Sequence, residues 1–397
     1  MKFAKRTRHM QPSDIREIGK LTADPDIISF AGGMPDPQFF PIKNLKEIAG
    51  QILENDGKAA LQYNSTKGYP PLREKIADRM RKMNIQVSAD DIMIVSGSQQ
   101  GIDFCGRVFL DEGDGVVCES PSYSGALNAF SAYLPEFIEI STNDQGMDMS
   151  ELEQTLSSRT NIKLVYVIPD FQNPTGRTWS LENRKKLIAL CNRFDIPILE
   201  DDPYSQFRFT GSRLPALKSL DIQNRVIYLG TFSKALCPGL RIGWVAATGD
   251  ILDNIEIVKQ VADIHSNSLA QREIDQYLER YSLDEQIDRV TAVYGRRKAL
   301  MIEAMKRCFP AECRWTDPDG GIFIWVELPA HINTRHLLLD AVKEKVAFIP
   351  GGGFFPNSKK ENTLRLNFST TPDEKITEGI ERLGRILKKE IGNDHDQ

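Results

Sequence analysis

The chain has 397 residues, of which 41% are hydrophobic and 26% are charged. This composition excludes intrinsic disorder and fibrous low-complexity proteins. With 50 Lys and Arg against 55 Asp and Glu, the net charge is −5, which argues against a dedicated nucleic-acid-binding protein. The length is sufficient for two or three domains, each with its own core.

The N-terminal segment is basic but becomes polar at once, without the apolar stretch of about 7–15 residues that a signal peptide needs. No later run approaches the roughly 18 apolar residues of a membrane span. The six cysteines include no CxxC pair and the five histidines no HExxH motif, so nothing in the spacing indicates a metal site. We expect a cytoplasmic protein that binds neither a membrane nor nucleic acid.

From about residue 70 to 250, short apolar runs rich in β-branched residues alternate with helix-length stretches. The predicted strands cover residues 92–95, 115–118, 137–140, 163–168, 196–200, 225–230 and 240–247, and the predicted helices cover 99–110, 125–133 and 181–194. Continuous hydrophobic strands that alternate with helices are typical of a mostly parallel sheet with helices on both faces. This part of the chain is therefore predicted to be an α/β domain.

After a long helical region over 250–280 and 283–308, the pattern changes. The runs 323–328, 345–349 and 364–368 predict strands of a smaller sheet. Apolar residues every three or four positions predict an amphipathic helix over 373–391. No linker or low-complexity block separates the two halves, which indicates two domains that share a cleft.

Two motifs that follow predicted strands carry groups suited to a phosphate. The carboxyl ends of strands are where open α/β sheets bind ligands. TFSK at 231–234 ends in Lys234, and Arg241 follows seven positions later. SGSQ at 96–99 precedes a helix, whose first N–H groups form a natural phosphate site, although it is neither a Walker loop nor a GxGxxG motif. Either segment alone is also consistent with an ordinary surface loop or helix start.

Three further motifs supply an acid, an amide and an aromatic ring. EDDPY at 200–204 places Asp201 at the end of a buried strand, where a carboxylate needs a partner. NPTG at 173–176 follows another strand, but it is also a turn sequence in its own right. PSYSG at 121–125 offers a tyrosine at a helix start, where an ordinary helix cap is the alternative.

The five motifs together complement one small molecule. It has an aromatic nitrogen that needs an acid, an oxygen that needs an amide and a phenol, a phosphate, and an aldehyde that needs a lysine. Pyridoxal 5′-phosphate (PLP) carries these groups. With SFAGGMPDPQFFP at 29–41, LQYNSTKGYPPLRE at 61–74 and ENTLRLNFS at 361–369, the sequence resembles fold-type I PLP-dependent aminotransferases of class I/II over nearly its whole length. It is most similar to the branch of 2-aminoadipate and kynurenine aminotransferases.

The resemblance implies an α/β fold with two parts. A large PLP-binding domain over 46–285 would contain a seven-stranded, mostly parallel sheet covered by helices. A smaller α+β domain would be built from the N-terminal arm and segment, 1–45, and the C-terminal part, 286–397. The resemblance also implies a homodimer with shared active sites.

The resemblance further implies roles for individual residues. Lys234 would bond to the cofactor aldehyde, and Asp201 would face the pyridine nitrogen. Asn173 and Tyr204 would hold the phenolic oxygen, and Tyr123 would stack on the ring. The residues implied to bind the phosphate are Ser98, Gln99, Thr231, Ser233 and Arg241, together with Tyr63 of the partner subunit.

On the substrate side, the resemblance assigns Arg365 to the α-carboxylate, with Gly33 and Asn173 beside it. Arg16 falls where this branch contacts a distal carboxylate, although as a residue it is also consistent with an exposed helix charge. The expected reaction moves the amino group of an L-amino acid to a 2-oxo acid by a ping-pong mechanism, with 2-oxoglutarate as the expected acceptor. The expected donors are 2-aminoadipate, glutamate, and aromatic or branched-chain amino acids.

Other functions remain as alternatives on the same fold. A PLP-dependent lyase or decarboxylase would use the same cofactor. Some bacterial transcription regulators join a winged helix to a domain of this family, but they would need about 60–80 further residues ahead of the first motif. Only 28 residues precede Ser29 here, so we do not expect such a regulator. A non-catalytic relative is disfavoured because Lys234, Asp201 and Arg365 are all present.

Overall fold

The computed structural model describes residues 1–10, 24–358 and 360–392. In chain order the strands are β1 (Ile28–Ser29), β2 (Ile92–Val95), β3 (Gly115–Ser120), β4 (Glu136–Asn143), β5 (Gly146–Met147), β6 (Ile162–Val167), β7 (Ile198–Asp202), β8 (Val226–Thr231), β9 (Gly243–Ala246), β10 (Arg314–Trp315), β11 (Phe323–Glu327), β12 (Val346–Ala347), β13 (Ile349–Pro350) and β14 (Thr363–Asn367). The α-helices are α1 (Ile42–Ala60), α2 (Pro70–Lys82), α3 (Ser98–Phe109), α4 (Ser124–Ser131), α5 (Met149–Ser158), α6 (Leu181–Phe194), α7 (Leu217–Leu220), α8 (Asp250–Ala262), α9 (Ser268–Arg280), α10 (Leu283–Cys308), α11 (Thr334–Lys343) and α12 (Asp373–Gly392).

The large sheet has the strand order β2-β9-β8-β7-β6-β3-β4-β5. Neighbours from β8 to β4 run parallel, whereas β9 is antiparallel to both β2 and β8. The seven long strands were predicted from the sequence. The eighth strand, β5, is a two-residue edge strand antiparallel to β4 and is too short to give a hydrophobic pattern.

The large sheet is covered on both faces, as its hydrophobic strands predicted. Successive residues of one strand belong to different hydrophobic clusters: Val116 and Leu164 lie in one cluster, and Val117 and Val165 lie in the other. This alternation follows from the two-residue period of a strand. No helix among the described residues combines the length and the apolar character needed to cross a membrane.

The smaller sheet has the antiparallel strand order β10-β11-β14-β13. The strand predicted over 345–349 is divided between two sheets, because β12 pairs in parallel with β1 whereas β13 pairs with β14. The chain crosses from one to the other at Phe348, which is fully buried. The continuous apolar run over 345–349 therefore gives no indication that the chain changes its neighbouring strand within it.

Two other predicted boundaries differ from the structure. The helical region 250–280 is two helices, α8 and α9, separated by a turn in which Ile264 has φ of +64°. The strand predicted from residue 240 begins only at Gly243. Pro238–Leu240 forms a 3₁₀ turn instead, and Arg241 has φ of +53°. A positive φ interrupts both extended and helical backbone.

Candidate active site

A cavity of about 200 Å³ lies at the carboxyl edge of the large sheet. Because β2, β3, β6, β7 and β8 run in the same direction, the five motifs that follow them meet at this edge. The predicted site residues that line the cavity are Gly33, Ser98, Gln99, Tyr123, Asn173, Asp201, Tyr204, Thr231, Ser233, Lys234, Arg241 and Arg365. The cavity thus brings together side chains from the whole length of the sheet and from the smaller sheet.

Asp201 lines the cavity, and one of its two carboxylate oxygens has a hydrogen-bond partner. Its Oδ2 accepts a hydrogen bond from the hydroxyl of Tyr166 (3.0 Å), whereas no described group hydrogen-bonds Oδ1. Burial raises the pKa of Asp201 to about 7, although the Tyr166 hydrogen bond and the charge of Lys234 act in the opposite direction. A buried carboxylate oxygen without a partner is costly, and a cationic N–H donor would relieve that cost.

Lys234 follows β8, and its Nζ donates a hydrogen bond to the carbonyl oxygen of Gly33 (2.6 Å). Burial lowers the pKa of Lys234 to about 8, and the positive charges of Arg365 and Arg241 contribute to the shift. The neutral amine is the nucleophilic form, so this environment makes Lys234 more reactive near neutral pH than an exposed lysine.

The N-terminus of α3 also lines the cavity. No described side chain caps this helix, and its N-cap, Gly97, has φ of +78°. A Cβ at Gly97 would lie 2.6 Å from Nη2 of Arg241, so only glycine fits here. Beside it, Thr231 Oγ1 donates to Ser233 Oγ (2.9 Å). Free helix N–H groups, hydroxyls and a guanidinium form a set of donors suited to a phosphate.

Arg365 is fully buried at the side of the cavity formed by β14. Its Nη1 donates to Asn173 Oδ1 (2.8 Å) and its Nη2 to the carbonyl of Ala31 (3.2 Å). The guanidinium lies over the rings of Phe323 and Phe354, at 4.1 and 5.2 Å from their centroids. Burial lowers the pKa of Arg365 to about 10, so the group stays cationic at neutral pH. Because no described group pairs with its Nε, Arg365 has a free donor for an anion.

Two tyrosines form aromatic walls of the cavity. The hydroxyl of Tyr123 donates to Gln99 Oε1 (3.2 Å), and burial raises the pKa of Tyr123 to about 12. Tyr204 packs edge-on against Phe323, with ring centroids 5.8 Å apart. Both rings are held by neighbours that are themselves part of the cavity wall.

Among the described residues, Tyr63 is the predicted site residue that does not line this cavity. Tyr63 is 77% exposed, and its ring contacts the edge of His265, with centroids 5.9 Å apart. Arg16 lies outside the described residues. The cavity of one chain is therefore assembled without Tyr63.

Tyr166 and Phe323 were not predicted as site residues. Both lie in largely apolar strands. Phe323 lines the cavity, and Tyr166 donates a hydrogen bond to Asp201, which lines it. For Tyr166 a signal existed in the strand register: it pairs opposite Leu199, which shares a face of β7 with Asp201. Phe323 had no comparable local signal.

The cavity fits PLP, the cofactor that the resemblance implies. The free Oδ1 of Asp201 suits a protonated pyridine nitrogen, and the uncapped start of α3 suits a phosphate. In the same cavity, the amine of Lys234 suits an aldehyde. Each group of the cofactor thus has a chemically matched residue in one cavity.

Comparisons with known proteins give the same assignment. Residues 26–383 match the family "Aminotransferase class I and II". The chain is 43% identical over 98% of its length to aromatic-amino-acid aminotransferase 1 of Thermococcus litoralis, of which it covers 94%. It is 42% identical over 97% of its length to 2-aminoadipate transaminase of Thermus thermophilus, of which it covers 96%.

A solved structure of kynurenine aminotransferase from Pyrococcus horikoshii, in complex with PMP, superposes with a TM-score of 0.93. The identity is 42%, and the alignment covers 98% of this chain and 97% of that one. The chain is therefore an enzyme of the aminotransferase class I and II family, with the fold-type I architecture and the PLP dependence that its motifs predicted.

Proposed function

We propose that this enzyme moves the amino group of an L-amino acid to 2-oxoglutarate by a ping-pong mechanism. The observation that carries the proposal is the single cavity in which Asp201, Lys234 and Arg365 lie together. An acid for the pyridine nitrogen, an amine for the aldehyde and a cation for the α-carboxylate are the groups that this reaction needs. When bound, PLP supplies an electron sink for the bonds at the substrate α-carbon.

On the cofactor side we propose the roles that the family resemblance implies, and the position of these residues in one cavity supports them. Asp201 holds the proton of the pyridine nitrogen through Oδ1, while Asn173 and Tyr204 hold the phenolic oxygen and Tyr123 covers the ring face. The phosphate is held by the N-terminus of α3 and by the side chains Ser98, Gln99, Thr231, Ser233 and Arg241.

Lys234 has two tasks in this proposal. Its amine would hold the aldehyde carbon of bound PLP in the resting enzyme, and as a free amine it would accept and return the proton of the substrate α-carbon. A base that works near neutral pH needs a pKa close to the working pH. The pKa of about 8 for Lys234 meets this condition.

On the substrate side, Arg365 binds the α-carboxylate, and Gly33 and Asn173 form the adjoining wall. We propose that the donors include amino acids with a distal carboxylate, such as glutamate and 2-aminoadipate, as well as aromatic and branched-chain ones. The relatives named for aromatic amino acids, 2-aminoadipate and kynurenine support this range.

A donor panel tests the proposal. The PLP-loaded enzyme is mixed with each amino acid in the absence of an acceptor, and the 2-oxo acid formed is quantified. A transaminase should release one 2-oxo acid per active site and then stop. A lyase or decarboxylase would continue, with release of ammonia or carbon dioxide, and would contradict the proposal.

Arg16 is the proposed partner of a distal carboxylate. A guanidinium can bind a carboxylate through two parallel hydrogen bonds. Arg16→Ala should therefore lower kcat/KM for glutamate and 2-aminoadipate by about one to two decades, the effect of one lost charged hydrogen bond. Leucine, measured in the same single-turnover assay, is the control donor. Equal losses for acidic and apolar donors would remove Arg16 from the substrate site.

We propose a homodimer in which Tyr63 of the partner subunit completes the phosphate site. The exposed position of Tyr63 in a single chain supports this assignment. Sedimentation at micromolar concentration should give about twice the chain mass of 44.8 kDa, and an active monomer would contradict the proposal.

A cytoplasmic location is supported by the six cysteines, all of which are free thiols. We also propose the division into 1–45, 46–285 and 286–397, with the pairing of β1 and β12 joining the two terminal segments.

A further inference from the structure

A chain of polar contacts lies behind the phosphate end of the cavity. Lys259 is fully buried, and its Nζ lies 2.8 Å from Asp263 Oδ1. Asp263 Oδ2 accepts a hydrogen bond from Gln100 Nε2 (2.8 Å), and Gln100 Oε1 accepts one from the backbone N–H of Ser96 (2.8 Å). None of these four residues lines the cavity.

Ser96 is held from both sides by this arrangement. Its N–H is bonded to Gln100, and its carbonyl accepts a hydrogen bond from Nη2 of Arg241 (3.0 Å). The next residue, Gly97, has the positive φ that turns the chain into α3. The direction of the first N–H groups of α3 therefore depends on the two peptide units that flank Ser96, of which Gln100 holds the first and Arg241 the second.

The buried ammonium of Lys259 is expensive unless it is fully paired. Its Nζ donates hydrogen bonds to both carboxylate oxygens of Asp263, at 2.8 and 3.1 Å, and to Ser266 Oγ (3.0 Å). Such a charge fixes its partner strongly, because any displacement of Asp263 would leave the charge unpaired. Asp263 in turn fixes the amide of Gln100.

The turn that carries Asp263 is itself strained. Ile264 has φ of +64°, and the N–H of His265 bonds back to the carbonyl of Asp263 (2.7 Å). A β-branched residue rarely adopts a positive φ, and such strain persists only where the surrounding contacts enforce it. The hydrogen bonds of Lys259 to Asp263 and Ser266 hold the residues on both sides of Ile264 in this turn.

We propose that Lys259, Asp263 and Gln100 form a positioning relay that fixes the phosphate-binding loop and so sets the affinity for the cofactor phosphate. The proposal rests on the assignment of the phosphate to the N-terminus of α3. The three residues act through Ser96 and touch neither cofactor nor substrate. Loss of the relay should therefore weaken the binding of the phosphate and leave the aldehyde and ring contacts intact.

The test compares PLP with pyridoxal, which lacks the phosphate. Apoenzyme carrying Gln100→Met or Lys259→Met, both nearly isosteric, is titrated with each ligand by fluorescence. We expect the Kd for PLP to rise about tenfold and the Kd for pyridoxal to stay within about twofold. Arg107→Gln, on the exposed side of α3, is the control and should change neither Kd.

Arg241→Gln separates this proposal from the phosphate assignment on which it rests. If it weakens PLP but not pyridoxal, while the two methionine variants bind PLP normally, the relay is wrong and the phosphate assignment stands. If it weakens both ligands equally, the phosphate assignment fails. A parallel loss of PLP and pyridoxal in the methionine variants, including loss through misfolding, also overturns the relay, because its effect would not be specific to phosphate.

Discussion

The cofactor side and the substrate side of the cavity are built in different ways. On the cofactor side, the contacts join neighbouring strand ends of one sheet: Tyr166 of β6 bonds Asp201 of β7, and Thr231 bonds Ser233 two residues later. On the substrate side, Arg365 bonds Asn173 across 192 residues and Ala31 across 334. The topology of the large sheet brings the motifs of the first region together, whereas the second depends on how the smaller sheet docks against the larger one.

This difference predicts that the two sides can be disabled separately. The largest effect is expected on the cofactor side, from Lys234→Ala. Because this change removes the covalent link and the proton carrier together, turnover should fall by about 10⁴-fold, the upper range of general acid–base effects. Lys186→Ala, at an exposed lysine on α6, is the control.

Borohydride reduction of the wild-type holoenzyme identifies the linked residue directly. Peptide mapping should find the pyridoxyl group on Lys234. A pyridoxyl group on any other lysine would show that the cofactor side has been assigned wrongly.

Arg365→Gln should disable the substrate side alone. Loss of the charged hydrogen bonds to the α-carboxylate should lower kcat/KM about 10²-fold for every donor, acidic or apolar. The Kd for PLP, measured on the apoenzyme, should change far less. Arg296→Gln, at an exposed ion pair with Asp373, controls for the loss of a surface arginine. A PLP affinity that falls as steeply as kcat/KM would mean that the two sides are not separable.

The same difference explains how much the sequence could predict. The motifs at 96–99, 121–125, 173–176, 200–204 and 231–234 each follow a strand of one mostly parallel sheet, and these five strands run in the same direction. Their meeting point at the carboxyl edge therefore followed from strand direction. Phe323 and Phe354, which cover the guanidinium of Arg365, lie far from any motif, and their place is fixed by the packing of the smaller sheet. Arg365 itself was assigned only through the family resemblance.

Local backbone geometry is the second feature of the structure that could not be predicted from the sequence. The break between α8 and α9 at Ile264 is invisible in the hydrophobic pattern, because an isoleucine at positive φ contradicts its own preference. Contacts distant in sequence, such as those of Gln100 with Asp263, enforce the turn. Sequence patterns record preferences of single residues and therefore miss positions where tertiary contacts override them.

A smaller effect is expected from the charge of Arg365 on the substrate side, which acts on Lys234 on the cofactor side. Below its pKa of about 8, Lys234 is an ammonium and a poor nucleophile, so the rate at which apoenzyme binds PLP covalently should rise with pH to a plateau, with its midpoint near 8. Arg365 is one of the positive charges that lower this pKa. In Arg365→Gln the midpoint should move to higher pH, as measured by stopped-flow absorbance. An unchanged midpoint would show that the two groups do not interact.

The smallest expected effect comes from Tyr166→Phe. The pKa of Asp201 is raised from 3.8 in the unfolded chain to about 7 in the fold, so its ionisation costs stability. That cost is absent below pH 4, grows as the pH rises, and is complete above about pH 7. The hydroxyl of Tyr166 reduces the cost by donating to the ionised form. Burial holds the pKa of Tyr166 well above its usual range, so the hydroxyl stays protonated at pH 8.

Removal of this hydroxyl should therefore destabilise the apoprotein by about 1.5 kcal/mol at pH 8 and by much less at pH 5, where Asp201 is protonated. Denaturant unfolding of wild type and Tyr166→Phe at both pH values measures the difference. Tyr228→Phe, which removes a buried hydroxyl bonded to Asp202 on the same strand, is the matched control for the loss of a tyrosine–carboxylate contact away from the cavity. PLP should abolish the pH dependence in wild type by pairing with Oδ1. A destabilisation by Tyr166→Phe that is equal at pH 5 and pH 8 would show that Tyr166 packs against Asp201 without supporting its charge.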